Sequence, residues 1–434
     1  MRTILATLFT ILLLLPPLRA GERRDSVIVS LVTCWPGKEV YELCGHEAIR
    51  VRGEGIDSVW NYGVFDFNEP NFVGRFVSGQ TDYMLASYPF PLFMAEYVQG
   101  NRRVVEQDLN LSQEEAWRLL GMLREEALPR NRTYRYNYVK DNCATRIVDR
   151  VDQAADRRVI YPDTVKYGTF RREMRSYHKD YPWYQFGIDL ALGSGLDAGI
   201  PGRAEMFVPI EMMEKVDGAH FDDGAPLVAR TRILFEGGEN ASLPPTPWYV
   251  TPLFIFSLLS LLMILIAIVQ LRRKRIVRWI YSVWFGVLGL VGCLTAFLVF
   301  VSTHEATSPN VLLVLLNPLQ LIVAVGVWMG WRGRWMTLPM VWWNVVAVGL
   351  LLLAWPMQRQ TADPAMFPIM AATVALAASY AIIISTGSYK NSVVLRHNKR
   401  INEQVSNSTR RSGNTRRSGS GRSSQTKARG GNRR

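Results

Sequence analysis

The chain has 434 residues, 48% of them hydrophobic, and a formal net charge of +13, which suits one globular domain plus a membrane part. The charge is lopsided: residues 387–434 hold thirteen Lys/Arg against a single acid, Glu403, so the basic balance describes a tail and excludes a basic nucleic-acid-binding domain as its source. Four cysteines are too few for a disulfide framework.

Residues 1–20 combine Arg2, an apolar run from Ile4 to Leu15, Pro16, Pro17 and a cleavage point after Ala20. This pattern predicts a secretory signal peptide, too short for a spanning helix. The segment after Ala20 is expected to be exported, where Cys34 and Cys44 either bridge or stay as two buried thiols. An α+β domain is expected over residues 21–235. Strands are predicted at Ser26–Cys34, Ala48–Arg52, Ser58–Phe67 and Asn101–Leu109, with a turn at Gly53–Gly55. The aromatic-rich stretch 72–97, broken by Pro89 and Pro91, gives no clean assignment. Ser112 with Glu115 three residues on forms a capping box, predicting a helix to about Ala127. Residues 157–230 are polar with short apolar pieces and are expected to complete or cover the domain.

A linker at 236–248 carries Pro244, Pro245 and Pro247. Beyond it lie five apolar segments near 249–270, 279–301, 311–330, 336–355 and 366–386, each long enough to cross a bilayer as helix. The connections at 271–278 and 331–335 and the tail at 387–434 are basic, hence inside; 302–310 and 358–365 carry few positive charges, hence outside. The tail repeats Arg, Ser, Gly and Asn and is expected to be disordered and cytoplasmic, meeting membrane phospholipid rather than any specific nucleic acid, since it lacks stacking aromatics.

The chemistry centres on 136–155 (YNYVKDNCATRIVDRVDQAA). Asp141 and Asn142 are N-cap types, and Ile147, Val148, Val151 and Ala155 fall at helical spacing behind Cys143. A thiol at a helix start is expected to be drawn toward thiolate by the dipole. Of the five histidines, His46 is the best base, because Gly45 before it lets another group approach closely. His178 and His220 read as surface residues, and His304 sits in an outer loop where it is a candidate for headgroup contact. No cluster has zinc or calcium spacing, and there is no phosphate-binding glycine loop or serine elbow, so no cofactor and no metal is expected. Tyr88, Phe90 and Phe93 fit either core packing or a lip touching acyl chains.

Residues 41–52 with their Gly-His pair, 61–67 (NYGVFDF), 83–85, 141–147 (DNCATRI) and 186–192 (FGIDLAL) together resemble the exported domain of the Lnb family, lipoprotein intramolecular transacylases, over roughly residues 27–210. The multi-span part resembles that family too. The resemblance implies a fold similar to circularly permuted papain-like enzymes, in which the catalytic His precedes the Cys, as His46 precedes Cys143. It implies transfer of an acyl chain within the N-terminal lipid of a bacterial lipoprotein onto the α-amine, at the inner membrane. Cys143 would carry the chain as a thioester and His46 would act as base. Asn61, Tyr62 or Asp66 would orient the imidazole, and Asn142 or the helix-start amides would hold the oxyanion. In one departure, Cys44 stands where an apolar residue is expected, which would set a second thiol by the site. Two other readings fit the residues: a membrane-tethered cysteine peptidase or amidase acting on cell-wall peptide, which would not need five spans, and a non-enzymatic exported binding domain.

Overall fold

The computed structural model describes residues 26–66, 68, 70–238, 244–353 and 360–386; the expected signal peptide and basic tail lie outside them. Two compact units result. The first joins the N-terminal chain through Pro247 with Phe297–Val311 and Arg359–Thr361; the second holds Trp248–Ala296, Leu312–Gln358 and the chain from Ala362.

In the first unit, strands β1 (Ile28–Cys34), β2 (His46–Gly53), β3 (Ile56–Val64), β4 (Asp82–Pro89), β5 (Val104–Leu109), β6 (Thr133–Arg135) and, after a two-stranded pair β7 (Val159–Ile160) and β8 (His220–Phe221), β9 (Val228–Phe235) appear in chain order. Seven of them form an antiparallel sheet in the order β6-β4-β3-β2-β1-β5-β9. Its helices are α1 (Phe72–Val77), α2 (Phe90–Gln99), α3 (Gln113–Glu126), α4 (Cys143–Ala154), α5 (Phe170–His178), α6 (Pro182–Ala191) and α7 (Pro209–Asp217).

Alternation along the strands sends side chains to two cores. Leu31, Ile49, Val51 and Trp60 face α3 and α4, burying Leu119, Leu120, Leu123, Ile147, Val148 and Val151. Val32, Cys34, Ala48 and Val59 pack against Phe93 and Tyr97 of α2. The capping box is made in full: Ser112 Oγ accepts from Glu115 N and Glu115 accepts in return from Ser112 N. The unassigned stretch 72–97 divides into α1, β4 and α2; Pro91 sits in the first turn of α2, where a missing N–H costs no helical bond. Cys34 and Cys44 are unbridged.

The second unit is helical: α8 (Pro252–Arg273), α9 (Arg278–Phe300), α10 (Gln320–Gly326), α11 (Arg334–Leu353) and α12 (Met366–Ser385). Among the described residues, four helical stretches are long and apolar enough to cross a membrane, against five segments expected. The third, Gln320–Leu353, is 34 residues long and is not straight, because the backbone leaves helical geometry at Gly330. Gln320 Nε2 donates to Asn344 Oδ1 at 2.7 Å. On one straight helix those residues would be about 36 Å apart, so α10 and α11 fold back on each other. The expected segment 311–330 is thus short helical pieces rather than one helix. Buried polar pairs join other helices, as Tyr281 with Ser379 at 2.8 Å and Thr337 with Tyr380 at 2.9 Å.

Candidate active site

Cys143 is the first residue of α4, and Asn142 is its cap. Asn142 Oδ1 accepts from Ala144 N and Thr145 N, both at 3.0 Å, while its Nδ2 donates to the carbonyls of Tyr138 and Phe207, both at 2.8 Å. With both donors and the acceptor committed, Asn142 shapes the helix start and has no proton left for an oxyanion.

The Cys143 thiol is buried, and burial pushes its pKa up to about 11. The backbone N–H of Glu47 and the helix-start amides of Ala144 and Cys143 pull the other way without prevailing. The expected thiolate is therefore not the resting form, because desolvation outweighs the dipole. The Glu47 contact brings the sulfur to the opening of β2, one residue along the chain from His46.

His46 begins β2 directly after Gly45, whose φ is +79 and where a Cβ would come within 2.5 Å of the Cys34 carbonyl oxygen. His46 Nε2 lies 3.1 Å from Asn61 Oδ1. An amide oxygen only accepts, so Nε2 carries the proton and Nδ1 keeps the lone pair. Burial lowers the His46 pKa to about 4, although the Asn61 bond works to raise it. By strand alternation Asn61 and His46 fall on the same sheet face, opposite that of Trp60 and Ile49, and β3 becomes irregular beyond Asn61, toward Val64, at Gly63 with φ +88. A Cβ on Gly63 would lie 3.9 Å from Cys143 Cβ.

The other residues expected to orient the imidazole are turned elsewhere. Tyr62 is buried in the α3/α4 core and donates its hydroxyl to Glu126. Asp66 accepts from Asn68 N at 2.8 Å in the turn after β3. His304 Nε2 bonds the Phe76 carbonyl at 2.8 Å, tying its loop to α1. Phe93 is core, Phe90 lies under the Arg50 guanidinium, and Tyr88 is exposed.

Two family models match the chain: the Lnb N-terminal periplasmic domain over residues 22–172 and the Lnb transmembrane domain over residues 245–388. The chain belongs to the Lnb family. It is accordingly a membrane protein with an exported N-terminal domain, and His46, Asn61 and Cys143 all fall inside the periplasmic-domain match. Comparison with curated proteins and with solved structures gives no match.

Beyond the second thiol noted from the sequence, Cys44, this Lnb chain holds two buried groups that sequence reasoning missed, His178 and Glu47. Cys44 Sγ is 3.2 Å from Tyr138 Oη and 3.9 Å from His178 Nε2, and burial raises its pKa to about 12, so it stays a thiol. His178, read as a surface residue, is fully buried, with a pKa lowered to about 4 by burial. Its signal was spacing: it comes four residues after buried Met174 on α5, one turn along the same face. Glu47 is buried beside the site, accepts from Thr33 Oγ1 at 2.8 Å, and is pushed well above the usual carboxylate range by burial.

Proposed function

We propose that this Lnb-family protein is a cysteine acyltransferase that moves an acyl chain within the N-terminal lipid of a bacterial lipoprotein onto the α-amine. What supports this reading is a buried thiol at a helix start that meets the backbone N–H of Glu47, the residue after a strand-opening histidine whose Nε2 is held by an asparagine. The His-before-Cys order is that of circularly permuted papain-like enzymes.

His46 Nδ1 takes the thiol proton as Cys143 Sγ attacks the ester carbonyl of a glycerol-linked chain. The proton passes to the departing glycerol oxygen, leaving a thioester and a free hydroxyl. The α-amine of the lipid-modified cysteine then attacks the thioester, gives a proton to His46, and Cys143 leaves with that proton as the amide forms. A neutral histidine with a pKa of about 4 beside a thiol at about 11 suits this order, because the base waits unprotonated at neutral pH. The Cys143 backbone N–H, the helix-start amide that Asn142 Oδ1 does not engage, is the oxyanion donor. Membrane attachment serves such a substrate, since each methylene drawn into water costs about 0.8 kcal/mol.

The membrane part makes five crossings in this reading, with the reversal at Gly330 separating the third from the fourth. The tail is cytoplasmic, and the outer loops at 302–310 and 358–365 share the periplasmic side with the exported domain. The basic connections at 271–278 and 331–335 support that order.

The test is mass spectrometry of lipoprotein N-terminal peptides from cells with the wild type, Cys143→Ala, or no copy of the gene. Wild-type cells are expected to show an acylated α-amine and one ester-linked chain fewer on the glycerol, and the other two neither change. An N-terminal lipid identical in all three sinks the reading. Three chains on the wild-type peptide would move the acyl donor to a separate lipid.

A further inference from the structure

Aromatic rings continue outward from the Cys143 side of the sheet. At Gly63 an added Cβ would lie 3.5 Å from the Tyr136 ring as well as close to Cys143. Tyr136 stacks on Tyr83 with centroids 4.4 Å apart; Tyr83 meets Phe65 at 5.1 Å, Phe65 stacks on Phe72 at 5.7 Å, and Phe72 stacks on Phe76 at 5.9 Å. The series ends on the His304 ring, 6.2 Å from Phe76. Phe65, Phe72, Tyr83 and Tyr136 are half-buried, and none of the four joins the clusters on the two sheet faces. Rings that pack on one another and keep one side open form a wall rather than a core.

The outer end of this wall is fixed by short chain connections. Ser302 Oγ donates to the Val77 carbonyl at 2.9 Å, Thr303 N to Ser78 O at 3.0 Å, and His304 bonds Phe76 O. These residues come just after Phe300, the last of α9, an apolar helix of 23 residues that is long enough to span a bilayer. Val73 and Phe76 of α1 are bare, at 72% and 46% exposure, as suits a surface that meets lipid.

We propose that this ring series is the bed for the long acyl chain of the substrate, leading it from the bare apolar residues of α1 to the Cys143 sulfur. The proposal rests on the acyl-transfer reading above and deepens it. The occupant is a long hydrocarbon chain because the wall runs from bare apolar residues on α1 to a nucleophile and presents ring faces and edges rather than charges. Phe65, Phe72 and Tyr83 set how much chain is held, and so the chain-length preference.

The experiment compares two thiol reagents on the full-length protein in lipid nanodiscs, methyl methanethiosulfonate and hexadecyl methanethiosulfonate, each forming a disulfide on Cys143 and releasing methanesulfinate. The labelled Cys143 peptide is quantified by mass spectrometry, and the readout is the hexadecyl-to-methyl rate ratio. The ratio is expected to fall about tenfold in Phe65→Ala and in Phe72→Asn, the change expected when about two methylenes lose apolar contact. Phe72→Leu, which keeps an apolar wall, and Leu92→Ala, an exposed site on α2, are expected to hold the wild-type ratio. Equal ratios in all variants, or a fall in Leu92→Ala as large as in Phe72→Asn, overturn the chain bed while the nucleophile stands. If Cys143 ignores even the methyl reagent, the acyl-transfer reading fails, and this proposal with it.

Discussion

His46 and Cys143 rest as a neutral pair, and that fixes the pH dependence. His46 titrates near 4 in the folded protein, below the ordinary histidine value of about 6.5. In the proposed mechanism only its neutral form accepts the thiol proton, so kcat/KM is expected to stay level as pH falls through 6.5 and to drop only near 4. A limb centred at 6.5 would contradict a buried, unprotonated base. Asn61→Ala releases the imidazole while leaving substrate contacts in place, so kcat should fall roughly 10²-fold with KM little changed. His178 has the same depressed value but affects stability. Between pH 6.5 and about 4 the unfolded chain binds a proton that the folded one refuses, so stability is present above 6.5 and is lost as pH falls. The loss is up to about 1.4 kcal/mol per pH unit, and melting curves of His178→Gln should show a shallower acid slope.

The helix that carries the thiol depends on one residue at its start. Asn142→Ala removes the cap and strands the buried carbonyls of Tyr138 and Phe207. The cost should be about 2–4 kcal/mol, read as a lower melting temperature, and Asn142→Asp should recover the cap but not the two donor bonds. Gly45→Ala forces a Cβ against a fixed carbonyl at positive φ, and should displace His46 and abolish activity even in protein that still folds. These features were legible in the sequence because they are local: a cap type before an apolar period, a capping box, a glycine before a histidine. Which of Asn61, Tyr62 and Asp66 would meet the imidazole was not legible, since it depends on the β2–β3 register: Ile49 pairs with Trp60, which leaves Tyr62 on the α3/α4 face and Asn61 on the other. His178 was misread from its charged neighbours Lys179 and Asp180, although its α5 face points inward. The stretch 72–97 was opaque because its prolines mark helix starts and its aromatics pack on each other instead of keeping a strand or helix period.

At the scale of the whole molecule, sequence charge patterns put residues 302–310 and 358–365 outside, but carried no sign that 302–310 and, of the second loop, Gln360 and Thr361 belong to the first unit. Gly193 N bonds Ala306 O and Ser194 N bonds Pro309 O, both at 2.8 Å. Asn310 Nδ2 donates to Leu190 O at 2.9 Å, and Gln360 joins Asn310 Oδ1 at 2.9 Å to Leu192 O at 3.3 Å. Asn310→Ala is expected to cost about 1–3 kcal/mol by leaving buried polar groups without partners, whereas Lys140→Ala should be nearly silent because its bond to Glu305 is exposed. The same bonds impose an order on biosynthesis. Gln360 is translated well over a hundred residues after β9 closes the sheet, a delay on the order of 10 s at about 5–20 residues per second. Through that interval the newly exported domain lacks pieces of its own structure, so a nascent chain stalled within the spans should be more open to protease around 190–197 than the finished protein.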